Sequence, residues 1–124
     1  MSKKKKPESY YYPPRGTIGP DTDGMKWLAV DLDGTLAEFV WPDPGVGPPI
    51  PSAVRKVHEA VDAGWKIIIH TSRPWDHYEM IENWLNQNDI PFHSILCAKL
   101  LAAAYIDDRN ISPRAKSWIP KVKK

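Results

Sequence analysis

Apolar residues along this chain fall in short runs divided by polar, glycine or proline breaks, and the runs alternate between two periods. Lys26 to Val30 is a compact apolar run ending in acidic residues, which predicts a buried strand. Residues 37–51 hold five prolines and two glycines, which predicts an irregular loop. Ser52 offers an N-cap, and Val54, Val57 and Val61 recur at helical spacing until Gly64 supplies a stop, so a helix is expected there. Lys66 to Ile69 reads as a second strand, and its consecutive isoleucines suit a sheet covered on both faces. Asp76 to Asn88 predicts a second helix with Ile81, Trp84 and Leu85 on one side. Phe92 to Leu96 is a third strand, Leu101 to Ala104 a helical turn, and Tyr105 with Ile106 a fourth strand running into Asp107 and Asp108. Strands separated by helices imply parallel pairing through right-handed crossovers. The fold class expected is therefore α/β, a Rossmann-like three-layer sandwich around a short parallel sheet.

A length of 124 residues suits one domain with extensions. A single cysteine cannot form an intrachain disulfide, which argues against a stapled secreted scaffold. No apolar run approaches the roughly 20 residues that span a bilayer, and Met1 to Lys6 lacks a hydrophobic signal core. A cytoplasmic protein with no membrane partner is expected. The net charge of +2 hides an uneven distribution: residues 1–24 sum to +2, residues 25–110 to −5 and residues 111–124 to +5. The first segment, rich in Lys, Tyr, Pro and Gly, predicts an extended basic arm; residues 25–110 form the folded domain, and 111–124 a basic C-terminal tail. The basic ends make nucleic acid a possible partner, with plain solvation of the lysines as the competing explanation.

In open parallel sheets, ligands bind beyond the carboxyl ends of the strands, and the polar residues gather there. Asp31 and Asp33 end the first strand, Thr71 and Ser72 the second, and Asp107 and Asp108 the fourth. Residues two apart in extended chain face one side, about 6–7 Å apart along it. Two carboxylates so placed can divide the work of nucleophile and proton donor, and Gly34 permits a sharp exit. An aspartate pair that only caps a turn is the alternative, because Asp-Gly is a common turn dipeptide.

The run Leu28-Ala29-Val30-Asp31-Leu32-Asp33-Gly34-Thr35, the strand Ile67 to Thr71, Lys99, and Tyr105-Ile106-Asp107-Asp108 resemble, in order, the four motifs of the haloacid dehalogenase-like (HAD) hydrolase superfamily. The resemblance covers residues 26–109 and implies a Mg²⁺-dependent phosphatase working through an aspartyl phosphate. It implies that Asp31 attacks phosphorus and that Asp33 protonates the leaving oxygen and then activates water. Thr71 would contact the phosphoryl oxygens and Lys99 would neutralise them. Asp31, Asp33 through its carbonyl, Asp107 and Asp108 would hold Mg²⁺. Family members that cleave carbon–halogen bonds lack the second acid, so Asp33 points to phosphoryl transfer. Independently of the family, an anionic nucleophile needs cations before it can approach a phosphate dianion, and Mg²⁺ prefers oxygen ligands.

Ser72 and Arg73 join Thr71 and Lys99 as candidate phosphate contacts, although Arg73 could equally form a salt bridge, and Asp108 could pair with Arg109. His70 and His77 read as structural, Cys97 as a small core residue and the six tryptophans mostly as core, with Trp41 and Trp75 near the expected rim, where stacking on a base or an aromatic leaving group is the lesser alternative. Between Leu36 and Pro51 there are too few residues for an inserted cap domain, and Ser72 to Ala98 is filled by one helix and one strand. The resemblance is thus to small capless members with an open site, suited to nucleotides or 3′-phosphate ends of nucleic acid, with the proline-rich loop as a partial lid. The competing reading is a nucleic-acid-binding or regulatory protein on an idle fold of the same type.

Overall fold

A computed structural model describes residues 26–40 and 45–120. The order of elements is β1 (Trp27–Val30), α1 (Pro51–Asp62), β2 (Lys66–His70), α2 (Tyr78–Gln87) and β3 (Ser94–Leu96), with a single 3₁₀ turn, Trp75–His77, leading into α2. The strands form a three-stranded parallel sheet in the order β1-β2-β3. Val30 lies opposite Ile69, and His70 opposite Leu96, so all three strands end on one edge.

Local chemistry explains the boundaries. The first helix begins two residues earlier than an N-cap at Ser52 would set it, with Ile50 in the cap position and Pro51 in the first helical position. Proline suits that position because its fixed φ is helical and its missing N–H would be unpaired there anyway. The helix gives way at Gly64, whose φ of +98° is natural only to glycine. The described residues of the stretch 37–51, expected as irregular, are tied down by hydrogen bonds, while 41–44 lie outside the described residues. Ala37 bridges Pro49, Glu38 N–H donates to Pro48 O at 2.9 Å, and Ile50 N–H donates to Leu36 O at 2.8 Å. Trp84 Nε1 donates to Gly47 O at 2.9 Å from α2. A Cβ on Gly47 would collide with the backbone carbonyl of Glu38, so the two arms of this loop close only because residue 47 has no side chain.

The core lies on one face of the sheet. Val30, Ile67, Ile69 and Ile95 share a buried cluster with Ala53, Val57 and Ala60 of α1 and Ile81, Trp84 and Leu85 of α2. Ile68 is buried but lies outside that cluster. Among the described residues the arrangement is therefore one sheet with two helices against it, two layers where three were expected. Sequential strand order explains this, because two right-handed crossovers running the same way place both helices on the same side.

The expected fourth strand does not form: Ile106 is fully exposed and residues 104–108 join no ladder. Two apolar residues followed by Asp-Asp-Arg-Asn bury too little to offset the ordering of an added strand. The C-terminal segment behaves in the opposite way. Trp118, at 6% exposure, belongs to the core cluster, Ile119 packs on it, and Trp118 Nε1 donates to Pro113 O at 3.1 Å. The part of the expected tail within the described residues thus packs on the body. No helix among the described residues is long and apolar enough to cross a membrane.

Candidate active site

The strand ends deliver Asp31 and Asp33 from β1, Thr71, Ser72 and Arg73 from β2, and the turn Cys97 to Lys99 from β3. After β1 the chain coils tightly, with the N–H groups of Thr35, Leu36 and Ala37 all directed to Leu32 O at 3.2, 2.9 and 3.0 Å. Gly34, at φ +81°, makes that coil possible and donates to Ala37 O at 2.7 Å. Leu32 and Leu36 are fully buried. The apolar residues flanking the acids therefore anchor the loop, and Asp31 and Asp33, both partly buried, stand at its mouth.

The turns after β2 and β3 are stitched together. Thr71 N–H donates to Leu96 O at 3.0 Å, Ala98 N–H to Arg73 O at 2.8 Å, and Lys99 N–H to Thr71 O at 2.8 Å. Ala98 accepts a left-handed φ of +65° to make this fit, a conformation that costs a non-glycine residue about 1 kcal/mol or more. The stitching sets the backbone of Lys99 against that of Thr71. Thr71 is 1% exposed, and its Oγ1 accepts the N–H of Arg73 at 3.1 Å, which leaves its own proton to donate. Ser72 is partly buried at the same bend. Lys99 Nζ sits 5.1 Å from the centre of the Tyr105 ring.

Arg73 is the centre of a cluster that its position in the sequence only partly reveals. Its Nε and Nη2 donate to Asp33 Oδ2 and Oδ1, each at 2.8 Å. Nη2 also donates to Gly45 O at 3.0 Å, and Nη1 lies 3.3 Å from His77 Nδ1. Both partners of the ion pair are largely buried, with side chains 13% and 22% exposed. A bidentate pair of this kind fixes the carboxylate's orientation as well as its charge. One residue thus ties the second acid, the proline-rich loop and the turn before α2 together. Trp75 stacks on Tyr78 with centroids 6.1 Å apart, while Trp41 lies outside the described residues.

His70 lies within the field of the same groups. Burial, and next the positive charge of Lys99, hold its pKa below the ordinary histidine value, and the negative charge of Asp31 pulls the other way. Burial raises the Cys97 thiol, which is inert where it stands.

Asp107 and Asp108 do not reach this rim as metal ligands. Both are exposed; Asp107 Oδ1 accepts the N–H of Arg109 at 2.6 Å, and Asp108 Oδ1 lies 4.0 Å from Arg109 Nε. Among the described residues no three His, Cys, Asp or Glu side chains are grouped so as to hold a metal ion. The cause is the missing fourth strand, which alone would carry the second acidic pair to the edge. The donor set expected around Mg²⁺, the carboxylates of Asp31, Asp107 and Asp108 with the carbonyl of Asp33, is thus not assembled among the described residues.

No family model and no curated protein matches this chain. Among solved structures, a Vibrio cholerae protein determined as a structural genomics target aligns with a TM-score of 0.62 and 32% identity, over 72% of this chain and 85% of that one.

Proposed function

We propose that this chain, which belongs to the same family as the Vibrio cholerae protein, is a phosphomonoester hydrolase that works through an aspartyl phosphate on an HAD-like core. The observation that carries the reading is the convergence at one strand edge of a carboxylate pair, a buried threonine hydroxyl and a lysine. Asp31 ends β1 and Lys99 is bonded to the backbone of Thr71 at 2.8 Å. In the reaction a carboxylate oxygen of Asp31 bonds to phosphorus as the phosphorus–oxygen ester bond breaks. The leaving oxygen takes a proton from Asp33, two residues on, once that carboxyl is released from the two Arg73 hydrogen bonds that occupy both its oxygens and has taken up a proton from solvent. Water then attacks the phosphorus, Asp33 takes its proton, and phosphate departs as the Asp31 carboxylate is restored.

Charge makes the residue types necessary. A carboxylate repels a phosphate dianion, and the Lys99 ammonium together with the Thr71 hydroxyl offsets that repulsion where the equatorial oxygens gather. Arg73 is already engaged with Asp33, so it orients the acid rather than greeting the substrate in this conformation. The absence of any inserted domain between β1 and α1 supports an open site and substrates that extend beyond it. The test is turnover of an aryl phosphate by wild type and by Asp31→Asn, each assayed with and without added Mg²⁺. Loss of about a thousandfold or more in kcat is expected for the variant. Equal turnover by the two chains removes Asp31 as the nucleophile and the reading with it.

A further inference from the structure

Beside the loop that follows Asp33 lies a second concavity. Its volume is about 590 Å³ and its walls come from three separate stretches: Gly34 and Thr35, the start of α1 with Ser52 and Lys56, and residues 112–114. The concavity is half open to solvent, so a ligand there would stay partly exposed. Lys56 and Arg114 bring two positive charges to the wall, and no acidic residue lines it.

Lys56 is the informative member, because lysine is seldom buried so completely. It is 9% exposed, its Nζ donates to Pro113 O at 3.3 Å, and the Trp118 ring centre lies 5.6 Å away. An ammonium carries three N–H donors, and the carbonyl occupies one. The Thr35 and Ser52 hydroxyls and the Arg114 guanidinium also have no partner among the described residues. Ser52 lies in the first turn of a 12-residue helix, whose N-terminal end adds to the positive potential. Unlike a surface lysine, a buried ammonium without a carboxylate is costly to hold. An anion in the cleft would offset that cost.

We propose that this cleft is an anion-binding site for a phosphate group, separate from the groups that carry the proposed hydrolysis and recruiting the basic C-terminal segment to the body. Lys56 and Arg114 supply its charge, and Ser52 and Thr35 its neutral donors. Lys56 and Arg114, with no acidic residue beside them on the wall, favour a ligand with several phosphates over an isolated anion. Either a small polyphosphate or the backbone of a single-stranded nucleic acid presents that chemistry.

Titration calorimetry on Asp31→Asn, which removes turnover from the measurement, tests the site with inorganic pyrophosphate and with an unphosphorylated oligothymidylate. Binding of at least one of the two is expected, weakened tenfold or more by Lys56→Met and by Arg114→Gln. Binding of pyrophosphate alone assigns a small ligand, and binding of the oligonucleotide assigns a backbone. Arg114 is exposed, so Arg114→Gln decides the matter if Lys56→Met fails to fold. No binding of either probe, or binding that Arg114→Gln leaves unchanged, overturns the proposal. Because turnover is not read, failure here leaves the hydrolase reading standing, and failure of that reading leaves this measurement intact.

Discussion

At the scale of single residues, Arg73 shows how much a neighbour decides. Its sequence position allowed either a phosphate contact or a salt bridge, and the structure joins it to Asp33, from which it is separated by 40 positions in the chain. Nothing in a one-dimensional pattern could select that partner, because the choice depends on two strand ends meeting side by side. Two histidines carry a residue-scale prediction. Burial lowers the pKa of both His70 and His93, with Lys99 adding to the first and Lys66 to the second. His93 Nδ1 also accepts the N–H of Ile67 at 2.9 Å, which requires that nitrogen to be unprotonated. The unfolded chain therefore binds more protons than the folded one below the ordinary histidine value of about 6.5, and stability falls as pH drops through that range. Urea unfolding midpoints at pH 7.5 and 5.5 check this; His93→Gln, which can still accept the bond, should flatten part of the fall.

Among the elements, the most periodic stretches were legible and the shortest were not. β1, β2 and both helices occupy nearly the spans that apolar periodicity assigns them, because each buries enough surface to hold its own form. The third strand contracts to Ser94–Leu96, and Tyr105-Ile106 forms none, since pairing of two residues depends on a tertiary surface that the pattern does not encode. The same failure separates Asp107 and Asp108 from the acids of β1, so half of the expected metal set was readable as a motif yet is not assembled. The proline-rich loop was under-read for the converse reason. Its order comes from cross-chain bonds at Gly45, Gly47 and Pro48, while its composition spoke only of breaks. Gly47→Ala should lower stability by about 1–3 kcal/mol, since the obstacle is a backbone carbonyl that cannot swing aside. Thermal denaturation followed by circular dichroism measures it.

For the whole molecule, the acidic body and the described part of the basic C-terminal segment proved less separate than charge partition suggested, because Trp118 carries that segment into the core. The sheet order β1-β2-β3 has a further consequence, for the course of folding. Each strand pairs with the one made before it, so Trp27 can find Lys66, and Ile68 can find Ser94, as soon as each has been synthesised. Closure of these loops needs no later part of the chain. The contact of Lys56 with Pro113 spans 57 positions and closes a longer loop than any strand pairing does. Docking of Trp118 is therefore expected to follow the rate-limiting barrier. Trp118→Ala should cost about 3–5 kcal/mol, and stopped-flow kinetics should place that loss almost wholly in faster unfolding, with the folding rate hardly changed. The segment around Trp118 would thus act as a clasp on an already assembled sheet, governing how long the native state endures rather than how quickly it is reached.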